Sequence, residues 1–147
     1  MDPKTDFAVV SQSALDRESL LNAVRRRDSA APMVFVHGYN YNFQEALFRL
    51  AQLKTDSNLE GTPVLFSWPS LAALPAYVAD KESATYSRDA LATLLTDLVR
   101  ARNGEVDVFA HSMGGWLTVE ALRQLRLEGK GDVLDRLRVI MAAPDID

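Results

Sequence analysis

The stretch VDVFAHSMGGW, Val106 to Trp116, constrains this chain more than any other. An apolar run with β-propensity stops at His111, one serine follows, and two glycines lead into a helix-forming segment. The pattern predicts a strand, a sharp turn and a helix within eleven residues. Such a turn holds its serine in a strained backbone conformation, and small neighbours are needed where strand and helix crowd together. The usual five-residue form is G-x-S-x-G; here it reads Ala110-His111-Ser112-Met113-Gly114, with alanine in the first glycine's place. A short serine-glycine pattern is weak evidence by itself, and the strand before it and amphipathic helix after it are what give it weight.

The totals narrow the setting. A chain of 147 residues has room for one domain with a real core. A net charge of -4 argues against nucleic acid as the main partner. The one basic cluster, Arg25-Arg26-Arg27, follows an apolar helical pattern and reads as a solvated helix C-terminus favoured by the helix dipole. Without cysteine, disulfides and thiolate metal sites are excluded. No apolar run approaches membrane-spanning length, and MDPKTDF lacks the basic-then-apolar form of a signal peptide. The cytoplasm is the expected location, with a removed leader as the open alternative. Nothing in the chain calls for a metal or an organic cofactor.

Taken in order, Phe7 to Val10 is a short strand candidate, and Ser13 or Asp16 would cap a helix running to about Arg27 with Leu20, Leu21 and Val24 as its stripe. Met33 to Val36 is a continuous apolar run between breakers, as expected of a strand buried on both faces. From Phe43, the residues Ala46, Leu47, Leu50 and Ala51 fall at helical spacing. Val64 to Phe66 is a second buried-strand candidate, ending at Ser67-Trp68-Pro69-Ser70. The segment from Leu71 to Tyr86 is irregular, and Asp80 or Ser83 would cap the next helix, with the stripe Leu91, Leu94, Leu95, Leu98 and Val99. After the elbow a helix runs from about Gly114 to Glu128 and is closed by Gly129 and Gly131. Leu137 to Ala142 is the last strand. This alternation predicts an α/β fold, a mostly parallel sheet with helices on both faces in a three-layer α/β/α sandwich. Ligands in such sheets bind beyond the carboxyl ends of the strands, where His37 to Asn40, Ser67 to Ser70, His111 to Gly114, and Asp145 with Asp147 all fall.

A serine on such a turn suits acyl transfer, because its oxygen can reach a carbonyl carbon while the following helix N-terminus favours developing negative charge. Ser112 is therefore the candidate nucleophile. The N–H of Met113 would be one oxyanion donor, and the loop after Val36 should supply the other, which points to Tyr39. Walling the pocket is an equal expectation for the Tyr39 ring. A base is harder to find, since the chain has two histidines and neither follows Ser112. His111 should leave the elbow in a different direction, and His37 reads first as a residue that fixes its own loop through hydrogen bonds. Asp145 is the candidate acid, at a strand end after the elbow, with a structural or pocket-lining role equally open; Asp147 is the weaker alternative. Asp80 reads as a helix cap, and Trp68 as a residue lining the pocket or packing beside it.

The segments FVHGYNYNFQEAL, VLFSWPS, AHSMGG and AAPDID, with the spaced Tyr77, Asp80, Ser83 and Arg88, together resemble the bacterial α/β-hydrolase family known as domain of unknown function nine hundred. The resemblance covers roughly Met33 to Asp147. It implies an α/β-hydrolase fold, of which this chain is the N-terminal part, and a serine hydrolase with Ser112 at the elbow and His37-Gly38-Tyr39 as the oxyanion turn. It also implies that further strands and the catalytic histidine lie beyond the end of this chain.

Two readings follow. The first is a serine hydrolase of esterase or lipase type, acting on a small ester-like substrate and inactive as these 147 residues because no histidine follows Ser112. The second is a non-catalytic module of the same fold that binds a partner or small molecule in its cleft. Codons continuing past Asp147 into a strand and a histidine would separate the first from the second. With later strands absent, 137–142 would be an unprotected sheet edge, so a homo-oligomer through that strand is expected.

Overall fold

The computed structural model describes residues 7–27, 30–58, 60–70 and 77–146. Part of the irregular segment after Ser70, and Asp147, lie outside the described residues. Among the described residues ten elements follow one another along the chain. They are α1 (Arg17–Arg27), β1 (Met33–Val36), α2 (Phe43–Asp56), β2 (Pro63–Phe66), α3 (Tyr77–Tyr86), α4 (Arg88–Arg102), β3 (Val106–His111), α5 (Met113–Leu127), α6 (Gly131–Leu134) and β4 (Leu137–Ala142). The four strands form one parallel sheet in the order β2-β1-β3-β4. The elbow strand β3 is therefore central, and its register ties Val36 to Ala110 on one side and His111 to Ala142 on the other.

Strand alternation divides the core into two layers. Val34, Val36, Val106, Val108 and Ala110 point to one face, where Leu91, Leu95, Leu98 and Val99 of α4 and Leu117, Ala121 and Leu125 of α5 cover them. Met33 and Phe35 point to the other face and meet Leu50 and Leu53 of α2. The helices thus lie on both faces, as the alternation of elements predicts. The α2 layer is the thinner one: Phe109 is only partly buried, and Ile140 on β4 is 59% exposed.

Helix ends follow local chemistry. Asp16 caps α1 by accepting from the Ser19 N–H at 2.8 Å. Asn42 and Glu45 form a reciprocal capping box on α2. A bidentate pair, Arg17 with Asp97 at 2.7 and 2.5 Å, fastens α1 to α4.

Several sequence expectations are corrected. Phe7 to Val10 forms no strand and is exposed, because it finds no partner in the sheet. Strand β2 is half-exposed rather than buried on both faces, since it lies at the sheet edge. Asp80 does not cap the helix carrying the leucine stripe. It sits buried in the first turn of a separate helix, α3, and accepts from the Ser70 hydroxyl at 2.6 Å. Ser87 marks the break before α4. Gly131 opens the short α6, while Gly129 turns the chain with φ +71°.

Candidate active site

The site grows out of the end of β3. The Ser112 N–H donates to the Ala142 carbonyl at 3.1 Å and so extends the β3–β4 ladder by one bond. The chain then turns sharply, with Ser112 at φ 51° and ψ −125°. Among the described residues three of the other non-glycine residues at positive φ are asparagines; Ser112, with its ψ of −125°, lies outside the left-handed helical well such residues tolerate, and the strain is worth about 1–3 kcal/mol. Neighbouring packing holds it. The Ser112 carbonyl accepts from the N–H groups of Gly115 at 2.8 Å and Asp145 at 3.1 Å, while its hydroxyl makes no capping bond to α5. A Cβ on Gly115 would lie 2.7 Å from the Pro144 Cβ, so the 143–146 segment seats directly on the start of α5.

This strain is testable. Ser112→Gly is expected to unfold with a free energy about 1 kcal/mol higher than Ser112→Ala, because only glycine relieves the backbone while both remove the hydroxyl. Urea denaturation of the two variants measures the gap, and equal values would remove the strain argument.

The turn after β1 touches the elbow. A Cβ on Gly38 would come within 3.0 Å of the Ser112 Cβ and 2.8 Å of His111 Nδ1, so the Gly38–Tyr39 peptide runs beside the serine. His37 fixes that peptide. Its ring is 1% exposed and stacked on Trp68, with centroids 4.9 Å apart and planes 7° apart. The Trp68 N–H donates to Nε2 at 3.2 Å, which leaves the proton on Nδ1 to donate to the Gly38 carbonyl at 2.9 Å. The Trp68 indole N–H donates to the His37 carbonyl at 2.9 Å. Burial holds the His37 ring below the ordinary histidine range, against the Gly38 carbonyl and the negative Asp80, which pull the other way. Both ring nitrogens are committed, so His37 is a positioning residue for the turn. Trp68, 3% exposed, is buried beside the site.

His111 belongs to the other layer. Its ring meets Tyr41 edge-on at 6.3 Å and helps line a cavity of about 320 Å³ with Phe35, Arg49, Leu53 and Phe109. Tyr39 packs against the α4–α5 layer, and its ring meets Tyr77 in a T-shaped contact at 5.5 Å.

Asp145 is drawn to α3. The Tyr77 hydroxyl donates to its Oδ2 at 2.5 Å, and the Lys81 ammonium lies 3.8 Å from the same oxygen. That ammonium also sits 4.5 Å over the Trp116 ring at the start of α5, and the Trp116 indole N–H donates to Thr85 at 3.3 Å. Sequence reading missed Lys81 and Trp116. The usable signal was the row Tyr77, Lys81, Thr85, at i, i+4 and i+8 on one helix face. Among the described residues, no group of three histidine, aspartate or glutamate side chains could hold a metal ion, and no helix is long and apolar enough to cross a membrane.

A central parallel strand ending in a strained serine, a helix starting on that serine, and a glycine turn pressed against it define an α/β-hydrolase fold. Residues 12–147 match the family described as alpha/beta hydrolase of unknown function (DUF900), and the chain belongs to that family. Among solved structures it is similar to lipase B of Aspergillus fumigatus, with a TM-score of 0.56 and 15% identity over 92% of this chain. The match covers 31% of the lipase chain, so this chain spans about a third of that protein's length. No curated protein matches it by sequence.

Proposed function

We propose that the protein is a serine hydrolase acting on carboxylic esters or a related acyl bond, with Ser112 as nucleophile. The observation that carries this reading is the strained Ser112 backbone at the start of α5, with the Gly38 turn in contact with it. In this reading the Ser112 oxygen attacks the acyl carbon, and the carbonyl oxygen gathers negative charge between the N–H groups of Met113 and Tyr39. Each such donor is worth about a hundredfold to a thousandfold in rate. The Asp145 carboxylate serves as the acid that orients a histidine, its Oδ2 held by Tyr77 and Lys81 and its Oδ1 left to receive the imidazole N–H. The base is neither His37, whose nitrogens are both engaged, nor His111, which faces the α2 layer. Turnover calls for a histidine other than these two, and without one only the residual rate supplied by the oxyanion donors is expected, several orders of magnitude below that of a complete triad. The lipase likeness fits an ester substrate.

The test is labelling with a fluorophosphonate in the complete product of the coding sequence. Covalent modification mapped to Ser112, and lost in Ser112→Ala, is the expected result. A protein that stays unmodified at Ser112 while folded would favour the second reading, a binding module of the same fold, for which the engagement of both His37 nitrogens elsewhere already speaks.

A further inference from the structure

A trough of about 440 Å³ runs along α3 toward the α3–α4 junction, lined among others by Tyr77, Val78, Lys81, Glu82, Tyr86 and Arg88. It opens beside the elbow, because Tyr77 and Lys81 are the residues that hold Asp145, whose N–H is bonded to Ser112. Its walls combine an apolar and a cationic lining. Val78 is 71% exposed and Tyr86 is 85% exposed, so the trough offers an arriving ligand apolar side chains that nothing covers among the described residues. Two cations stand along the trough, Lys81 on α3 and Arg88 at the start of α4. Lys81 comes no nearer to a carboxylate than 3.8 Å, and Arg88 lies 3.6 Å from Asp89 and 3.7 Å from Glu120. Among the described residues neither side chain makes a hydrogen bond, so their donors are unspent although their charges are loosely balanced. An N–H donor requires an acceptor at about 2.7–3.2 Å, and a charge-assisted bond to an arriving anion is roughly twice as strong as a neutral one.

We propose that this trough receives the non-reacting part of the substrate, and that this part is an apolar chain or ring ending in an anionic group. Tyr77, Val78 and Tyr86 take the apolar portion, and Arg88 takes the anion, with Lys81 contributing from nearer the elbow. Glu82 is the lining carboxylate that opposes such a ligand. The assignment rests on the serine-hydrolase reading for its view of Asp145 and Ser112 as the reacting end.

The experiment measures binding, not turnover, in a Ser112→Ala chain, using monomethyl sebacate, which has an ester at one end and a carboxylate at the other, and the neutral dimethyl sebacate, by chemical-shift titration. The monoester is expected to bind about tenfold more tightly, with the advantage falling as salt rises. Arg88→Gln should remove most of that advantage, Lys81→Gln a smaller part, and Glu82→Gln should strengthen monoester binding. Equal affinities for the two esters, or a preference indifferent to Arg88→Gln and Lys81→Gln in folded variants, would overturn the assignment. Shifts confined to residues outside α3 would overturn it too. Because Ser112 is absent from the measurement, failure here leaves the fluorophosphonate result intact, while failure there leaves the binding result standing and removes only the view of Ser112 as the reacting end.

Discussion

Gly114→Ala is expected to destabilise the fold by about 3 kcal/mol or more, a fall in melting temperature of roughly 10 °C for a chain of this size. The added Cβ would lie 2.3 Å from the Val36 carbonyl oxygen and 2.5 Å from that of His37. Both atoms are backbone, and Val36 is locked in register with Phe66 and Ala110, so neither can rotate aside. Helix α5 would have to lift off the sheet, exposing Leu117, Ala121 and Leu125, or β1 would have to yield its pairing. The control is Gly131→Ala at the start of α6, where a Cβ meets nothing within 4 Å, and stability should hold or rise slightly. Thermal unfolding decides the matter: a Gly114→Ala melting point within about 2 °C of the parent would mean that α5 does not approach β1 as closely as described.

The clash also shows why the elbow could be read from residues alone. Strand, serine and close-approach glycines are consecutive in the chain, so backbone chemistry confines them before any tertiary contact is known. The same holds for Leu137 to Ala142, an apolar run between a glycine-rich turn and a proline, whose limits the structure reproduces. Phe7 to Val10 has equal β-propensity and no strand, because pairing rather than propensity decides a strand's existence. Asp80 resembles a cap locally. Its buried place in α3 depends on Ser70, ten residues earlier, which spacing does not reveal. The least legible part of the site is the junction of Tyr77 and Lys81 with Asp145. It arises because α3 packs on α5 at the end of β4, a consequence of the strand order β2-β1-β3-β4. His37 lies between these cases: its role as a fixer of its own loop is legible, while the Trp68 stack needs β1 and β2 to be neighbours.

That stack leads to the second large effect. His37→Phe keeps a flat ring against Trp68 and removes both nitrogen contacts, leaving the Trp68 N–H and the Gly38 carbonyl without their partner in a buried setting. Each orphaned group costs about 1–3 kcal/mol, so a loss of about 3 kcal/mol is expected at neutral pH. The loss should depend on pH. Burial keeps the native His37 ring below its ordinary value, whereas in the unfolded chain the ring titrates near about 6.5. Between those two values the unfolded state binds the extra proton, so stability rises with pH across that window. The contribution from His37 is fully present above the unfolded value and is lost as pH falls toward the lowered native one. Phenylalanine has nothing to titrate, while the carboxylates and His111 remain in both proteins. The difference in unfolding free energy between parent and variant, from urea titrations at pH values between neutral and mildly acidic, should therefore narrow as the solution is acidified. A gap that stays constant or widens would show that the native ring is charged in that range. It could not then accept from the Trp68 N–H, and the Gly38–Tyr39 peptide beside Ser112 would have to be held by something else.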